Sequence, residues 1–352
     1  MFSGLPFSYM FVFTMVSGTL FSISSSHWLG IWAGLEINLI GFLPLLVYQK
    51  KMTESESAVK YFVVQALGSS FLMFGSLLSY SLSFSWDINL SNEFYIMSIL
   101  IIMCGLCIKM GLFPFHFWLP SVMAGLPWIS CLLLATWQKF APIFLVGSLM
   151  EVNFIYWICL PICFMCAGSS LIGGIGGLNQ TQIRSLLAYS SIGHLGWIVF
   201  SLMYSDWVMK TYLLIYIIIS IGVFTSLWKS NLPEMKSLIK ISNKNEGEMS
   251  VMLMLLSLGG LPPLLGFISK WLVISFVMNA NLWGVMVFLI LGSLISLFYY
   301  LSLFFSMTLN KMKKSLVIYN SQNPLDKIEI LIILINLVGG VILISSGIME
   351  GF

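Results

Sequence analysis

The stretch LSLGGLPPLLGFISKW, residues 256–271, decides the fold. It lies in an apolar run of about 250–278, long enough to cross the roughly 30 Å hydrocarbon core of a bilayer as a helix. Gly259, Gly260, Pro262 and Pro263 cannot continue a regular helix, because the prolines remove backbone donors and the glycines loosen the chain. Peptide groups freed in this way find no partner in lipid, so an interrupted span is tolerated only inside a bundle or beside held water. Lys270 follows the break within the same run. The stretch therefore predicts a discontinuous membrane helix that carries a charge and lies among other helices.

The remainder of the chain has the same character. A soluble protein is about 25% charged, whereas these 352 residues are 8% charged and 59% hydrophobic, with a mean hydropathy of +0.98. Water solubility is excluded. The expected fold class is an all-α membrane protein of about eleven transmembrane helices, near 7–25, 28–48, 58–84, 94–120, 126–147, 152–172, 184–204, 209–229, 250–278, 283–306 and 328–348. No stretch between spans exceeds roughly 25 residues, too short for a folded domain outside the bilayer. The chain opens on Met1-Phe2-Ser3 and enters a span almost at once, without a basic n-region or an Arg-rich transit segment. The expectation is that the first span directs insertion or that the protein is made where it works.

Basic residues near span ends stay on the side from which insertion occurs. Loops after even-numbered spans carry Lys50, Lys51, Lys60, Arg184, Lys229, Lys236, Lys240, Lys244, Lys311, Lys313, Lys314 and Lys327, whereas the odd side has Lys210. Asp87, Glu93, Glu151, Asp206 and Glu350 fall on the odd side. The even loops and the N-terminus are therefore expected to face the cytoplasm or the mitochondrial matrix, with the C-terminus opposite. Of sixteen basic residues this leaves Lys109, Lys139 and Lys270 inside spans, and of thirteen acids it leaves Glu36. Each such charge costs about 2.5–3.5 kcal/mol at a bilayer centre, so a functional role is expected of all four.

Their settings differ. Glu36 sits in GLEIN (34–38), mid-span. Lys109 opens KMGLFPFHFW (109–118), where Pro114 should break the helix, and freed carbonyls at such breaks hold water or ions in many transporters. Lys139, in TWQKFAP (136–142), precedes Pro142. His194, in SSIGHLGW (190–197), follows a polar stripe of Tyr189, Ser190 and Ser191; His116 lies just past Pro114 and is either a relay group or a cap on the broken helix. His27 heads the second span. The six cysteines include two CxxC pairs inside spans and read as packing residues. The segment GGIGGLNQTQIR (173–184) lacks the GK[ST] of a phosphate loop and reads as a turn with Arg184 at the membrane surface. Lys311, Lys313 and Lys314 suit anionic lipid and imply no nucleic acid.

GLEIN, KMGLFPFHFW, WQKFAP (137–142), GGLNQTQIRSLLAYSSIGHLGW (176–197) and LSLGGLPPLLGFISKW together resemble the subunit 2 family of mitochondrial NADH:ubiquinone oxidoreductase, respiratory complex I. The likeness runs the whole length. It implies an antiporter-like inverted repeat of five-helix bundles, each with a discontinuous helix, within one polytopic domain 1–352: half-repeats of about 7–147 and 152–306 and a terminal helix of about 328–348. It implies that Glu36, Lys109, Lys139 and Lys270 form a proton relay, with His194 and His116 as further relay candidates. Bacterial members begin with three further helices, so the chain is similar to the shortened form of animal mitochondria.

The resemblance also implies a mitochondrial inner-membrane location. The expected partners are other membrane-arm subunits, including the antiporter-like subunit 4 and the small subunit 4L, and lipids such as cardiolipin. No cofactor is expected in this chain: NADH, FMN, iron–sulfur clusters and ubiquinone belong to other subunits. As an enzyme it would be one part of an H+-translocating NADH:ubiquinone reductase. Two other readings stay open, a stand-alone cation/proton antiporter of the same fold and a structural subunit with frozen ion pairs.

Overall fold

Apolar segments that must satisfy their own backbone groups coil into helices, and a computed structural model of the chain consists of them. It describes residues 7–47, 51–87, 96–152, 156–230, 247–278, 282–315 and 333–341. In order come α1 (Ser8–Ser24), α2 (Trp28–Leu46), α3 (Met52–Ser83), α4 (Ile96–Met110), α5 (Trp118–Gly125), α6 (Trp128–Ala135) and α7 (Trp137–Val152). They are followed by α8 (Tyr156–Leu178), α9 (Ile183–Leu202), α10 (Asp206–Ser230), α11 (Gly247–Gly259), α12 (Leu265–Val277) and α13 (Trp283–Ser315). A last helical stretch covers 333–341. Every expected span contains a helix, and among the described residues seven stretches are long and apolar enough to cross a membrane unaided. Lys50, Glu93, Lys236, Lys240, Lys244, Lys327 and Glu350 lie outside the described residues.

The chain divides into two compact units, Met1–Met165 and Cys166–Phe352. In the first, α1 and α2 pack so closely that a Cβ on Gly34 would stand 2.6 Å from the backbone nitrogen of Ser22. Small residues at such crossings let helices touch by van der Waals contact where lipid offers no hydrophobic drive. The α1–α2 connection is pinned to the residues that follow α3: Trp28 N–H donates to Trp86 O (3.0 Å), and His27 pairs with Asp87 (2.9 Å) at an exposed position.

Three expectations need correction. The glycines of GGIGG do not form a turn, because α8 runs on to Leu178 and the connection shrinks to residues 179–182. Helix–helix contact explains them: a Cβ on Gly173 would meet the Gly193 backbone at 2.6 Å, and one on Gly177 would meet the Tyr299 ring at 2.7 Å. Arg184 accordingly lies in the first turn of α9. The fifth span, expected to run unbroken over 126–147, is interrupted at Thr136, while Pro142 is accommodated inside α7. Thr136 N–H and Oγ1 both donate to Leu132 O (3.0 and 2.7 Å), closing α6 there. Finally, α3 begins at Met52 and α13 ends at Ser315, each about two turns beyond its expected bound.

Candidate functional site

Each unit holds a helix broken at a Gly-Leu-X-Pro turn, and the two breaks are built alike. Gly111-Leu112-Phe113-Pro114 ends α4 and Gly260-Leu261-Pro262-Pro263 ends α11. The glycines stand at φ +76° and +84°, where a side chain is costly, and the peptide before Pro114 and that before Pro263 are cis. Gly111 N–H and Leu112 N–H both donate to Cys107 O (2.9 and 3.1 Å). Gly260 N–H and Leu261 N–H do the same to Leu256 O (3.1 and 3.4 Å). A left-handed glycine thus closes each half-helix and leaves its last carbonyls to side chains.

In the first unit those carbonyls are taken by neighbours. Trp118 Nε1 donates to Ile108 O (3.1 Å), and Gln65 Nε2 to Lys109 O (3.4 Å). His116 Nδ1 donates to Pro114 O (3.2 Å) inside the break, which makes it a cap there. Lys109 is buried in the last turn of α4, where the helix dipole favours a cation. Its seat is one face of α3: Tyr61, Gln65 and Gly68 recur at helical spacing, and a Cβ on Gly68 would press on Lys109 Cγ at 3.0 Å. From α2, Glu36 brings Oε1 to 3.7 Å from Lys109 Nζ, with side-chain exposures of 25% and 4%. That separation is an ion pair in contact but longer than the 2.7–2.9 Å of a charge-assisted hydrogen bond.

Lys139 is buried in the first turn of α7, directly after the Thr136 interruption, and its N–H donates to Thr136 O (3.2 Å). Beside it lies a pairing that the sequence reading missed. Asn38 Nδ2 donates to Gln138 Oε1 (2.9 Å), and Gln138 Nε2 returns a bond to Asn38 Oδ1 (3.1 Å). Tyr61 OH adds a longer bond to Gln138 Oε1 (3.4 Å). Asn38 is two residues from Glu36 and Gln138 adjoins Lys139, so one amide clamp ties the carboxylate helix to the lysine helix. The only sequence signal was an amide in each charged motif, GLEIN and WQKFAP.

In the second unit Lys270 sits in α12, the half-helix beyond the break, and folds back across it: Nζ donates to Gly259 O at 2.9 Å. A Cβ on Gly260 would stand 3.0 Å from that amine. Lys270 and His194 line one narrow cleft with Ser170, Ser190, Ser296 and Tyr299. His194 Nδ1 shares a 3.0 Å hydrogen bond with the Tyr212 hydroxyl. The cleft is thus lined by groups able to pass hydrogen bonds. Among the described residues no three His, Cys, Asp or Glu side chains converge as a metal site. Of the residues marked as candidates, Glu36 and Lys109 are in contact, Lys139 adjoins their clamp, His116 caps the first break, and Lys270 and His194 share the second unit's cleft.

These features match known proteins. A family profile described as NADH:quinone oxidoreductase/Mrp antiporter, TM, matches residues 25–296. The chain is 40% identical over 342 residues to NADH-ubiquinone oxidoreductase chain 2 of Anopheles gambiae, covering 96% of each. It is 36% identical to the chain of the same name from Didelphis virginiana, covering 91% and 93%. Among solved structures, a chain of respiratory complex I from Thermus thermophilus superposes with a TM-score of 0.80 at 26% identity, covering 98% of this chain and 78% of that one. A chain of the Mrp complex from Dietzia sp. shares the fold, with a TM-score of 0.73 at 17% identity, covering 90% and 61%. A discontinuous helix in each unit, buried lysines at the breaks and relatives matched nearly end to end lead to one assignment: the chain belongs to the NADH:quinone oxidoreductase/Mrp antiporter transmembrane family.

Proposed function

We propose that the chain is a core membrane-arm subunit of a proton-translocating NADH:ubiquinone oxidoreductase in the mitochondrial inner membrane, and that Glu36, Lys109, Lys139 and Lys270 relay the protons. The observation that carries the reading is the Lys109–Glu36 pair at the end of a broken helix. A carboxylate near the amine stabilises the ammonium, and its withdrawal in a low-dielectric setting favours proton release. Lys139, beyond the amide clamp, receives in this scheme, and Lys270 serves as the far station with His194 in its cleft. His116, which caps the first break, is a secondary relay candidate. Redox energy arrives from other subunits, because the chain carries no nucleotide, flavin or cluster motif.

The partners proposed are other membrane-arm subunits, among them the antiporter-like subunit 4 and the small subunit 4L, with cardiolipin-type lipids at the basic loops. The basic asymmetry supports a matrix-facing N-terminus and an intermembrane-space C-terminus. The test is the assembled enzyme with Lys109→Ala, comparing quinone reduction with proton pumping. Pumping should fail at normal assembly; normal turnover and pumping would overturn the relay.

The family description also names antiporters, which favours one second reading, a stand-alone cation/proton exchanger. A single acid away from the span ends argues against a dedicated cation site. Sodium-driven proton exchange by the purified chain in vesicles would overturn the complex I reading in its favour.

A further inference from the structure

We infer that Asn336 is a positioning residue for Lys270, holding the two halves of the second broken helix in the register that places the lysine amine on Gly259. The inference rests on the proposed role of Lys270 in proton transfer.

Asn336 is an amide within a wholly apolar stretch, ILIILINLVGGVILI (330–344), and it is buried. An amide left without partners in a membrane interior is expensive, and this one has partners on both sides of the break. Its Oδ1 accepts from Leu265 N–H (3.2 Å), the first residue of α12. That donor belongs to the helix's unsatisfied first turn, and the N-cap residue, Leu264, has no side chain able to serve it. Its Nδ2 donates to Met254 Sδ (3.4 Å) on α11. One side chain therefore grips both half-helices.

The same face of the terminal helix presses on the break itself. Gly339 and Gly340 follow Asn336 at helical spacing; a Cβ on Gly339 would meet Leu265 Cδ2 at 3.1 Å, and one on Gly340 would collide with Pro263 O. Across that gap the lysine makes its own bridge, from α12 to the last residue of α11. Lys270 lies five positions beyond the residue that Asn336 holds, so a tilt of α12 about the break moves the amine relative to the carbonyl. The terminal helix thus acts as an external brace on the geometry that Lys270 reads from inside.

The test is the assembled enzyme carrying Asn336→Leu, Asn336→Asp or Lys270→Ala, read as protons pumped per electron, NADH:quinone rate and amount assembled. Leucine is close in size and makes neither bond; aspartate keeps the acceptor for Leu265 N–H. Asn336→Leu is expected to lower protons per electron on the order of twofold or more at unchanged electron rate, and Asn336→Asp to recover most of that loss. A purely structural role would lower only the amount assembled. Normal coupling in Asn336→Leu with a deficit in Lys270→Ala overturns the inference alone. Normal coupling in Lys270→Ala overturns the reading beneath it and the inference with it. Should Asn336→Leu not assemble, amide exchange in the unaltered enzyme decides: Leu265 N–H is expected to be protected, and exchange as fast as at an uncapped helix start overturns the brace.

Discussion

Lys109 Nζ stands 3.7 Å from Glu36 Oε1, close enough to feel the carboxylate and too far to be locked to it. A pair with that slack can close or open with a small movement of α2. Glu36→Gln keeps the shape and removes the charge, so the lysine loses its modulator. Coupled pumping should fall on the order of tenfold, equivalent to about 1.4 kcal/mol in the limiting step, with the complex still assembled. Reconstituted proteoliposomes with a pH-sensitive dye measure it.

The two break glycines separate strain from lysine placement. Alanine at either position forces a side chain into left-handed backbone, costing about 1–2 kcal/mol. At Gly111 the new methyl would meet Leu119 Cδ1 at 2.9 Å, whereas at Gly260 it would meet Lys270 Nζ at 3.0 Å. Thermal denaturation should show similar losses for Gly111→Ala and Gly260→Ala. Pumping per electron should suffer more in the second, and an equal effect would deny the amine its placement by Gly260.

The Asn38–Gln138 clamp makes a sharper demand on additivity. Removing one amide strands the other in a buried site at about 1–3 kcal/mol, whereas apolar groups at both positions remove the debt. Asn38→Leu and Gln138→Met should each destabilise the assembled subunit, and the double variant should be milder than their sum. A double-mutant cycle on denaturation midpoints measures the coupling. Strict additivity would mean that the two amides do not depend on each other.

Two glycines of α13 should behave oppositely. A Cβ on Gly292 would run into the Ser170 carbonyl, while one on Gly284 meets nothing within 4 Å. Gly292→Ala should overpack the α8–α13 crossing, costing about 1–3 kcal/mol and lowering the amount of assembled complex. Gly284→Ala should be neutral or gain up to about 1 kcal/mol of helix propensity. Native gels of solubilised membranes compare them.

Hydropathy alone places the spans, because every expected one contains a helix. The breaks were legible for the same reason: Gly and Pro inside bilayer-length apolar runs leave few alternatives. Glycine also misled. In GGIGG it serves close helix contact at Gly173 and Gly177, which in a linear sequence looks the same as a turn. The Thr136 interruption was hidden because neither Gly nor Pro marks it, while Pro142 drew attention and sits inside a helix. Asn38 and Gln138 are 100 residues apart, so neither announces the other. Asn336 was visible only as a lone amide in the terminal span, its two partners set by tertiary packing.

The counter-charges of the two lysines differ in kind. Glu36 is a carboxylate, a charge carried on a side chain. The amine of Lys270 rests on the carbonyl end of α11, where aligned peptides present roughly half an elementary charge and nothing that can be protonated. Replacing one side chain removes the first; the second is backbone, which no side-chain replacement at Gly259 removes. One unit therefore sets its lysine by a side-chain charge and the other by the position of a helix end, at the same Gly-Leu-X-Pro turn.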